Sequence, residues 1–403
     1  MHPPTPDADV LIVGAGPAGL ALASALSDAG LTAILLEQQA RDTLERPADD
    51  GREIALTHRA RAVMGTLGLW SQVPAEAVSP LRQAHVLDGE SPGLLRFGVS
   101  GDEALGWLIA NHQIRRAAFR AAMARPGVQL RCAARVTGLD LGGPLARVTL
   151  ADGQCLNAPL VVAADSRLSQ TRRLAGIGAS MHDFGRSVVV GPVAHEREHQ
   201  GVALECFRYG NTLALLPMQG RCSSAVVTVA ADRAGEWSAL DDAGFAQRIE
   251  AQSGGRLGTM RCVGPRQLHP LVGVYAHRFV APRFALIGDA AVGMHPVTAH
   301  GYNFGLYGVE VLVGALKAAR GAGRDIGAPD TLQPYEAAHR RTTLPVYLGT
   351  NAVVSLFTDE RAPARLARKA VLAVAEHAPG LSRLIKGAIN RQLTGGPGLA
   401  LPR

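Results

Sequence analysis

The chain has 403 residues, 47% hydrophobic and 19% charged, with a formal net charge of +7. That balance excludes global disorder, and no uninterrupted apolar run reaches the roughly 18 residues that a bilayer-spanning helix needs. Between 361 and 403, Arg361, Arg365, Arg368, Lys369, Arg383, Lys386, Arg391 and Arg403 stand against Glu376 alone, so the whole formal excess belongs to this tail. Five cysteines (Cys132, Cys155, Cys206, Cys222, Cys262) form no CxxC pair and no His-partnered spacing. Reduced, mostly packed thiols in a cytoplasmic protein are expected, with no metal site. The opening MHPPTPDAD lacks the charged-then-apolar order of a secretory leader, so none is expected.

The first pattern is DVLIVGAGPAGLALASALSDAGLTAILLEQ, residues 9–38, which reads as a βαβ unit. Asp9 to Val13 forms a short apolar strand. Gly14, Gly16 and Gly19 then spell GxGxxG, and Leu20 to Ala29 is a helical run closed by Gly30. Thr32 to Leu36 is a second strand, ending in Glu37. Gly14 permits the tight turn, Gly16 lets backbone approach a pyrophosphate, and Gly19 lets helix and strand pack closely. The helix N-terminus offers unpaired N–H groups to phosphates, and an acid at this spacing suits a ribose. The motif alone does not choose between NAD and FAD.

Further along, 51–70 predicts a strand or loop followed by an amphipathic helix ending near Gly68, and 105–124 a strand running into a helix. Residues 128–166 read as antiparallel strands with an Asp152-Gly153 hairpin signal, and LVVAAD (160–165) as a buried strand ending in an acid. From about 185 to 270 alternating segments predict an antiparallel sheet. His195 and His199, in AHEREHQ, are expected to be exposed loop residues. RFALIG then leads into GDAAVGMHPVTAHGYNFGL (288–306), a Gly-rich passage into a predicted helix, and from about 334 the pattern is helical.

Three blocks, GAGPAG with Glu37, AADSRLSQTRR (163–173) and GDAAVGMHPVTAHGYNFGL, together resemble the single-component FAD monooxygenases of the p-hydroxybenzoate hydroxylase type. GREIAL followed by LGLW, ECFRYGNTLALLP (205–217) and HPVTAHGYNFGL are most similar to the ubiquinone-biosynthesis hydroxylases, the UbiH/UbiF group, and nearest its UbiM-type branch. The resemblance covers nearly the whole chain. It implies an α/β fold: a Rossmann-like FAD-binding domain (1–75, 106–175 and 271–335), an inserted antiparallel β-sheet substrate domain (76–105 and 176–270) and a C-terminal helical region (336–403).

It also implies functional residues. FAD-binding positions are Gly14, Gly16, Ala18, Gly19, Glu37, Arg52, Asn111, Arg115 and Asp165. Gly288 and Asp289 would take the ribityl chain, and Gly301, Tyr302 and Asn303 the pyrimidine end of the flavin at a helix N-terminus. Pro296 would face the ring, and His300 and Tyr302 are the candidates for phenol activation. Two departures stand out. Relatives commonly read HPxxGQG where this chain has Ala299 and His300, and ADG where it has Ala164-Asp165-Ser166, which puts in doubt a turn that needs glycine.

The implied activity is hydroxylation, through a flavin C4a-hydroperoxide, of the aromatic ring of a polyprenylated phenol or quinol in ubiquinone biosynthesis. O2 is the co-substrate; no second GxGxxG appears, so NAD(P)H is expected as a transient reductant without a domain of its own, with a protein electron donor as the alternative. Leu381, Leu384, Ile385, Ala388 and Ile389 make the tail amphipathic, which suits packing on the domain, a peripheral inner-membrane contact or a biosynthetic assembly. Nucleic acid is not expected, because the tail has no aromatic residue for stacking. A hydroxylase of a soluble aromatic compound and a non-catalytic flavoprotein partner stand as alternatives.

Overall fold

A computed structural model describes residues 5–88, 94–98, 104–208, 211–294 and 300–358. The expectations on Pro296, Ala299 and the 361–403 tail lie outside those residues.

The chain begins with β1 (Val10–Val13), α1 (Pro17–Asp28) and β2 (Ala33–Leu36). Both strands are buried at every position, the pattern of a parallel sheet covered on both faces. Gly30 adopts φ +76°, and the Leu31 N–H closes back on the Leu26 carbonyl at 2.9 Å, a Schellman-type stop that only a residue tolerant of left-handed backbone supplies without strain. After α2 (Arg41–Glu45) come β3 (Glu53–Leu56) and α3 (His58–Thr66), whose N-terminus is capped by the Thr57 hydroxyl, accepting from Ala60 N–H at 3.2 Å. Then follow β4 (Ser79–Leu81), β5 (Gln83–Asp88), β6 (Leu94–Gly98), β7 (Gly106–Ala110), α4 (Asn111–Met123) and β8 (Val128–Arg131). A three-stranded meander, β9 (Val136–Asp140), β10 (Ala146–Leu150) and β11 (Cys155–Ala158), turns at Gly153 with φ +85°, as the Asp-Gly pair predicts. β12 (Leu160–Ala163) and α5 (Gln170–Leu174) complete this half.

The second half holds β13 (Ala179–His195), β14 (Val202–Arg208), β15 (Asn211–Pro217) and β16 (Cys222–Ala230). The helices α6 (Ala234–Ser238) and α7 (Asp242–Gln252), then β17 (Met260–Cys262) and β18 (Gln267–Ala276), follow. The chain then returns to the first half through β19 (Val280–Ala281), β20 (Phe284–Leu286) and β21 (Val292–Gly293), and ends its described part in α8 (Gly301–Gly321) and α9 (Pro329–Thr358).

Two main sheets result. One runs β19-β20-β12-β1-β2-β8, parallel except for the β19 edge. The other runs β21-β18-β13-β16-β15-β14-β5-β6, with β17 beside β13, and is antiparallel except for β14 against β5. This second sheet draws on β18 to Ala276 and on β21, so it reaches beyond the expected boundary at 270.

Its two faces differ. Val189, Leu204, Cys206, Leu213, Leu215 and Val227 pack under Trp237, Phe245 and Ile249 of α6 and α7. On the other face Ala84, Ala203 and Leu216 meet Ala55, Leu81, Leu105 and Leu108 of the small sheet β3-β7-β4. Val188, Val190, Val226 and Leu271 continue that face.

His195 corrects an expectation. It is 6% exposed at the end of β13, its Nδ1 meeting the Arg197 carbonyl (2.7 Å) and its Nε2 the Ser223 hydroxyl (3.0 Å). His199 is half-buried against the Met218 carbonyl at 2.7 Å. Acidic neighbours in the sequence made the segment read as a solvated loop, whereas the ring nitrogens bond the Arg197 and Met218 carbonyls and the Ser223 hydroxyl. Among the described residues no helix is long and apolar enough to cross a membrane.

Candidate active site

The carboxyl ends of β1, β2, β12 and β20 converge, which is where open α/β sheets bind ligands. Backbone bonds lock the convergence: Gly14 N–H to Leu36 O (2.8 Å), Ala164 N–H to Val13 O (2.8 Å) and Ile287 N–H to Ala163 O (3.0 Å). Gly14 has φ +104°, and a β-carbon there would lie 2.6 Å from the Ala164 carbonyl oxygen. A β-carbon on Gly19 would collide with the Gly14 carbonyl. Gly16 differs: nothing lies within 4 Å of its would-be β-carbon. The Gly14 and Gly19 requirements are therefore internal to the fold, while the space beside Gly16 suits a ligand.

α1 begins at Gly16 with Pro17 in its first turn, no side-chain cap and no acidic residue there. Its positive end is thus left for an anion, which fits a diphosphate. Glu37 is 8% exposed and each carboxylate oxygen accepts one backbone N–H, Ala15 to Oε2 (2.8 Å) and Gln39 to Oε1 (2.9 Å). A carboxylate has about four lone-pair sites, so it retains acceptors for ribose hydroxyls. Arg115 is half-buried one turn into α4 and makes no hydrogen bond or ion pair among the described residues. Its free guanidinium likewise suits a phosphate.

Asp289 follows β20 on a turn in which Gly288 has φ +57°. Its Oδ2 accepts from Arg167 Nη2 at 3.1 Å, and Arg167 Nη1 donates to the Val272 carbonyl at 3.1 Å. Gly301, at the start of α8, has its would-be β-carbon 4.0 Å from Asp289 Oδ1. Ala18 closes the corner, its β-carbon 3.1 Å from that of a substituted Gly288 and 3.5 Å from that of a substituted Gly305. α8 has neither a side-chain cap nor an acid in its first turn, so a second helix N-terminus opens beside Asp289. Asn303 ties this turn to β3: its Nδ2 donates to the Ala55 carbonyl (2.8 Å) and its Oδ1 accepts from Thr57 N–H (3.0 Å).

His300 is 6% exposed with its ring 5.2 Å from that of Phe304. The Tyr302 hydroxyl is buried without a hydrogen-bond partner among the described residues, and burial pushes its phenol further up. Asp165 accepts from Thr171 N–H at 3.3 Å. Left-handed backbone at non-glycine residues falls, among the described residues, on Ala133, Gln200 and Arg283 and not on Ser166, so the departure from ADG needs no strained turn.

Three residues that sequence reading missed organise the rest. Asp50 gathers Arg52 (Nη2 2.6 Å, Nε 3.0 Å) and Asn111 (Nδ2 2.7 Å). Burial raises its carboxyl, but the Arg52 hydrogen bonds and charge and the Asn111 bond outweigh that and leave it below the usual carboxylate range. Arg167 holds Asp289, as above. Tyr335, fully buried on α9, bonds the Leu286 carbonyl (2.5 Å) and His339 Nδ1 (3.0 Å), which fixes the end of β20 just before the Gly288 turn. Burial lowers His339 to about 4, so it stays neutral. Arg172, which the resemblance implies keeps cofactor and reductant contacts together with Asp165, donates to Ala290 O (2.8 Å) and Arg167 O (3.2 Å) and so braces the same turn.

Residues 7–342 match the family model described as an FAD binding domain. The chain is 43% identical to a ubiquinone hydroxylase UbiM of Neisseria meningitidis, over 96% of this chain and 84% of that protein. It is 39% identical to a ubiquinone hydroxylase UbiL of Rhodospirillum rubrum, over 94% and 88%. Among solved structures, the p-nitrophenol 4-monooxygenase PnpA of Pseudomonas putida superposes with a TM-score of 0.74 at 18% identity, covering 97% of this chain and 99% of that one, a likeness of fold. Two uncapped helix N-termini, a ribose-ready Glu37 and open space beside Gly16 agree with that family's cofactor. The chain belongs to the FAD-binding domain family of flavin monooxygenases, within its ubiquinone-hydroxylase group.

Proposed function

We propose that the protein is an FAD-dependent monooxygenase that hydroxylates the aromatic ring of a polyprenylated phenol or quinol intermediate of ubiquinone biosynthesis, with O2 as co-substrate and NAD(P)H as transient reductant. The observation that carries this reading is 43% identity to a ubiquinone hydroxylase across almost the full chain. The site supports it chemically.

In this reading the α1 N-terminus and Arg115 hold the diphosphate, Glu37 the ribose and Asp289 the ribityl chain. Arg52 and Asn111, joined through Asp50, border the cofactor. Bound FAD supplies the O2 chemistry that no side chain can. The N–H groups of Gly301, Tyr302 and Asn303 offer donors to the negative charge of a reduced ring. Tyr302, kept neutral by burial, is a hydroxyl donor. The substrate lies between the second sheet and this edge, where Ala203, Leu216, Val188, Val190 and Val226 exclude water. The protein works in the cytoplasm and meets its lipid substrate at the inner-membrane surface, alone or in a biosynthetic assembly.

In a deletion strain of the source organism, an under-hydroxylated prenyl phenol should accumulate and mass spectrometry of lipid extracts should find it. The wild-type gene should clear it; Asp289→Ala protein, if folded, should not. Normal quinone in the deletion strain would remove the proposal.

A further inference from the structure

The apolar face of the second sheet carries an acid, Glu205. On β14, Leu204 and Cys206 point under α6 and α7 while Ala203 points toward the small sheet, so the two-residue alternation of a strand puts Glu205 on the Ala203 side. In register it stands in a row with Val86, Ala214, Val226, Val190 and Gln267. The facing chain is 51–55. A β-carbon at Gly51 would lie 3.6 Å from Val190 and 3.5 Å from Gln267, at one end of that row, and Ala55 packs with Ala203 and Leu216 beside its other end. Asn303 bonds the Ala55 carbonyl, so the start of α8 borders the same space.

Glu205 makes no hydrogen bond or ion pair among the described residues, although it stands mid-strand in an interior sheet position. An unpartnered carboxyl among aliphatic side chains costs stability, and such a cost is retained where the group acts on a ligand. Among the described residues, the titratable and charged side chains sharing this side are His269 and, by register, Arg186 on the sheet. Asp49, Asp50, Arg52 and Glu53 lie on the facing segment. None of them shifts Glu205; burial alone pushes its carboxyl up to about 8. Glu53 is also raised to about 8, by burial and then by the charges of Asp49 and Asp50. Glu53 is therefore raised in part by acidic neighbours, while Glu205 is raised by burial without any charged neighbour.

We propose that Glu205 is the catalytic residue that accepts the phenolic proton of the substrate. This role rests on the hydroxylase reading above. The substrate O–H bond breaks, the proton passes to a Glu205 carboxylate oxygen, and the electron pair stays on the substrate oxygen. The ring carbons beside and opposite that oxygen become electron-rich, as oxygen transfer to a ring requires. A base with an affinity near the working pH is the effective one.

The test uses the full-length FAD-loaded protein with a short-chain prenylated phenol, product formation being followed from about pH 6 to about pH 10. Wild type should show a rising limb with a midpoint near 8. Glu205→Gln should keep its FAD and its substrate-independent NAD(P)H oxidation, lose the limb, and form product about 100-fold more slowly. Glu205→Asp should restore the limb. In the wild-type protein the carboxyl of Glu205 should itself titrate with the same midpoint when followed by infrared difference spectroscopy against Glu205→Gln, a readout that does not depend on turnover. Glu205→Gln with an unchanged limb and rate, loss of the limb in Glu53→Gln alone, or a Glu205 carboxyl that does not titrate across the range would each overturn the assignment. A wild-type enzyme that hydroxylates no prenylated phenol would instead overturn the functional reading, and this role with it.

Discussion

The two halves of the molecule treat their acids in opposite ways. Around the parallel sheet and the small sheet beside it three carboxylates are held: Glu37 by Ala15 and Gln39 N–H groups, Asp289 by Arg167, Asp50 by Arg52 and Asn111. In the second sheet Glu205 makes no hydrogen bond or ion pair among the described residues, and burial raises its carboxyl. The first arrangement fixes each carboxylate in place through hydrogen bonds. The second keeps a proton site poised beside apolar walls.

The largest effect should come from Gly16→Val. Its backbone is extended and nothing crowds its β-carbon, so the fold should survive with thermal stability changed by less than about 1 kcal/mol. Flavin affinity should nevertheless fall by more than about 100-fold, because the filled space is the ligand's. Fluorescence titration with FAD reads this directly. A Gly16→Val protein that stays fully yellow would break the comparison at its cofactor side.

A smaller effect should separate structural burial from functional burial. His339 is lowered to about 4 by burial against an ordinary 6.5, so the unfolded chain binds the proton more tightly. Its contribution is intact above about 6.5 and drains away as pH falls toward 4, by up to about 3 kcal/mol. Denaturant titrations at neutral and acid pH should show that loss, and His339→Gln should remove most of the slope. Glu205 has the opposite sign: its raised carboxyl favours the folded state least at high pH, so alkaline stability should improve in Glu205→Gln. If His339→Gln leaves the acid slope unchanged, Tyr335 and His339 do not brace β20 as described.

Much of the cofactor half was legible because its rules are local. Glycine spacing, an apolar strand on each side and an acid after β2 are all written within 9–38, and the structure places the turn and the helix stop at Gly30 accordingly, while the backbone bonds to Glu37 from Ala15 and Gln39 were not read from the sequence. The partners were not legible. Arg167 meets Asp289 across 122 positions and Asp50 meets Asn111 across 61, and neither pair leaves a periodic trace. Glu205 stood inside a quoted motif, but alternation says only that it faces away from Leu204. Which face meets the small sheet is decided by strand register and by α6 and α7 covering the other side. His195 was misjudged for the same reason: its polar partner, Ser223, lies on a neighbouring strand.

The most direct test of the whole account is the fate of oxygen. FAD-loaded protein given NAD(P)H, isotopically heavy O2 and a prenylated phenol should release a phenol carrying one heavy oxygen atom on its ring, read by mass spectrometry. Reduced flavin that turns all of that O2 into hydrogen peroxide and water, with the phenol recovered unlabelled, would contradict it.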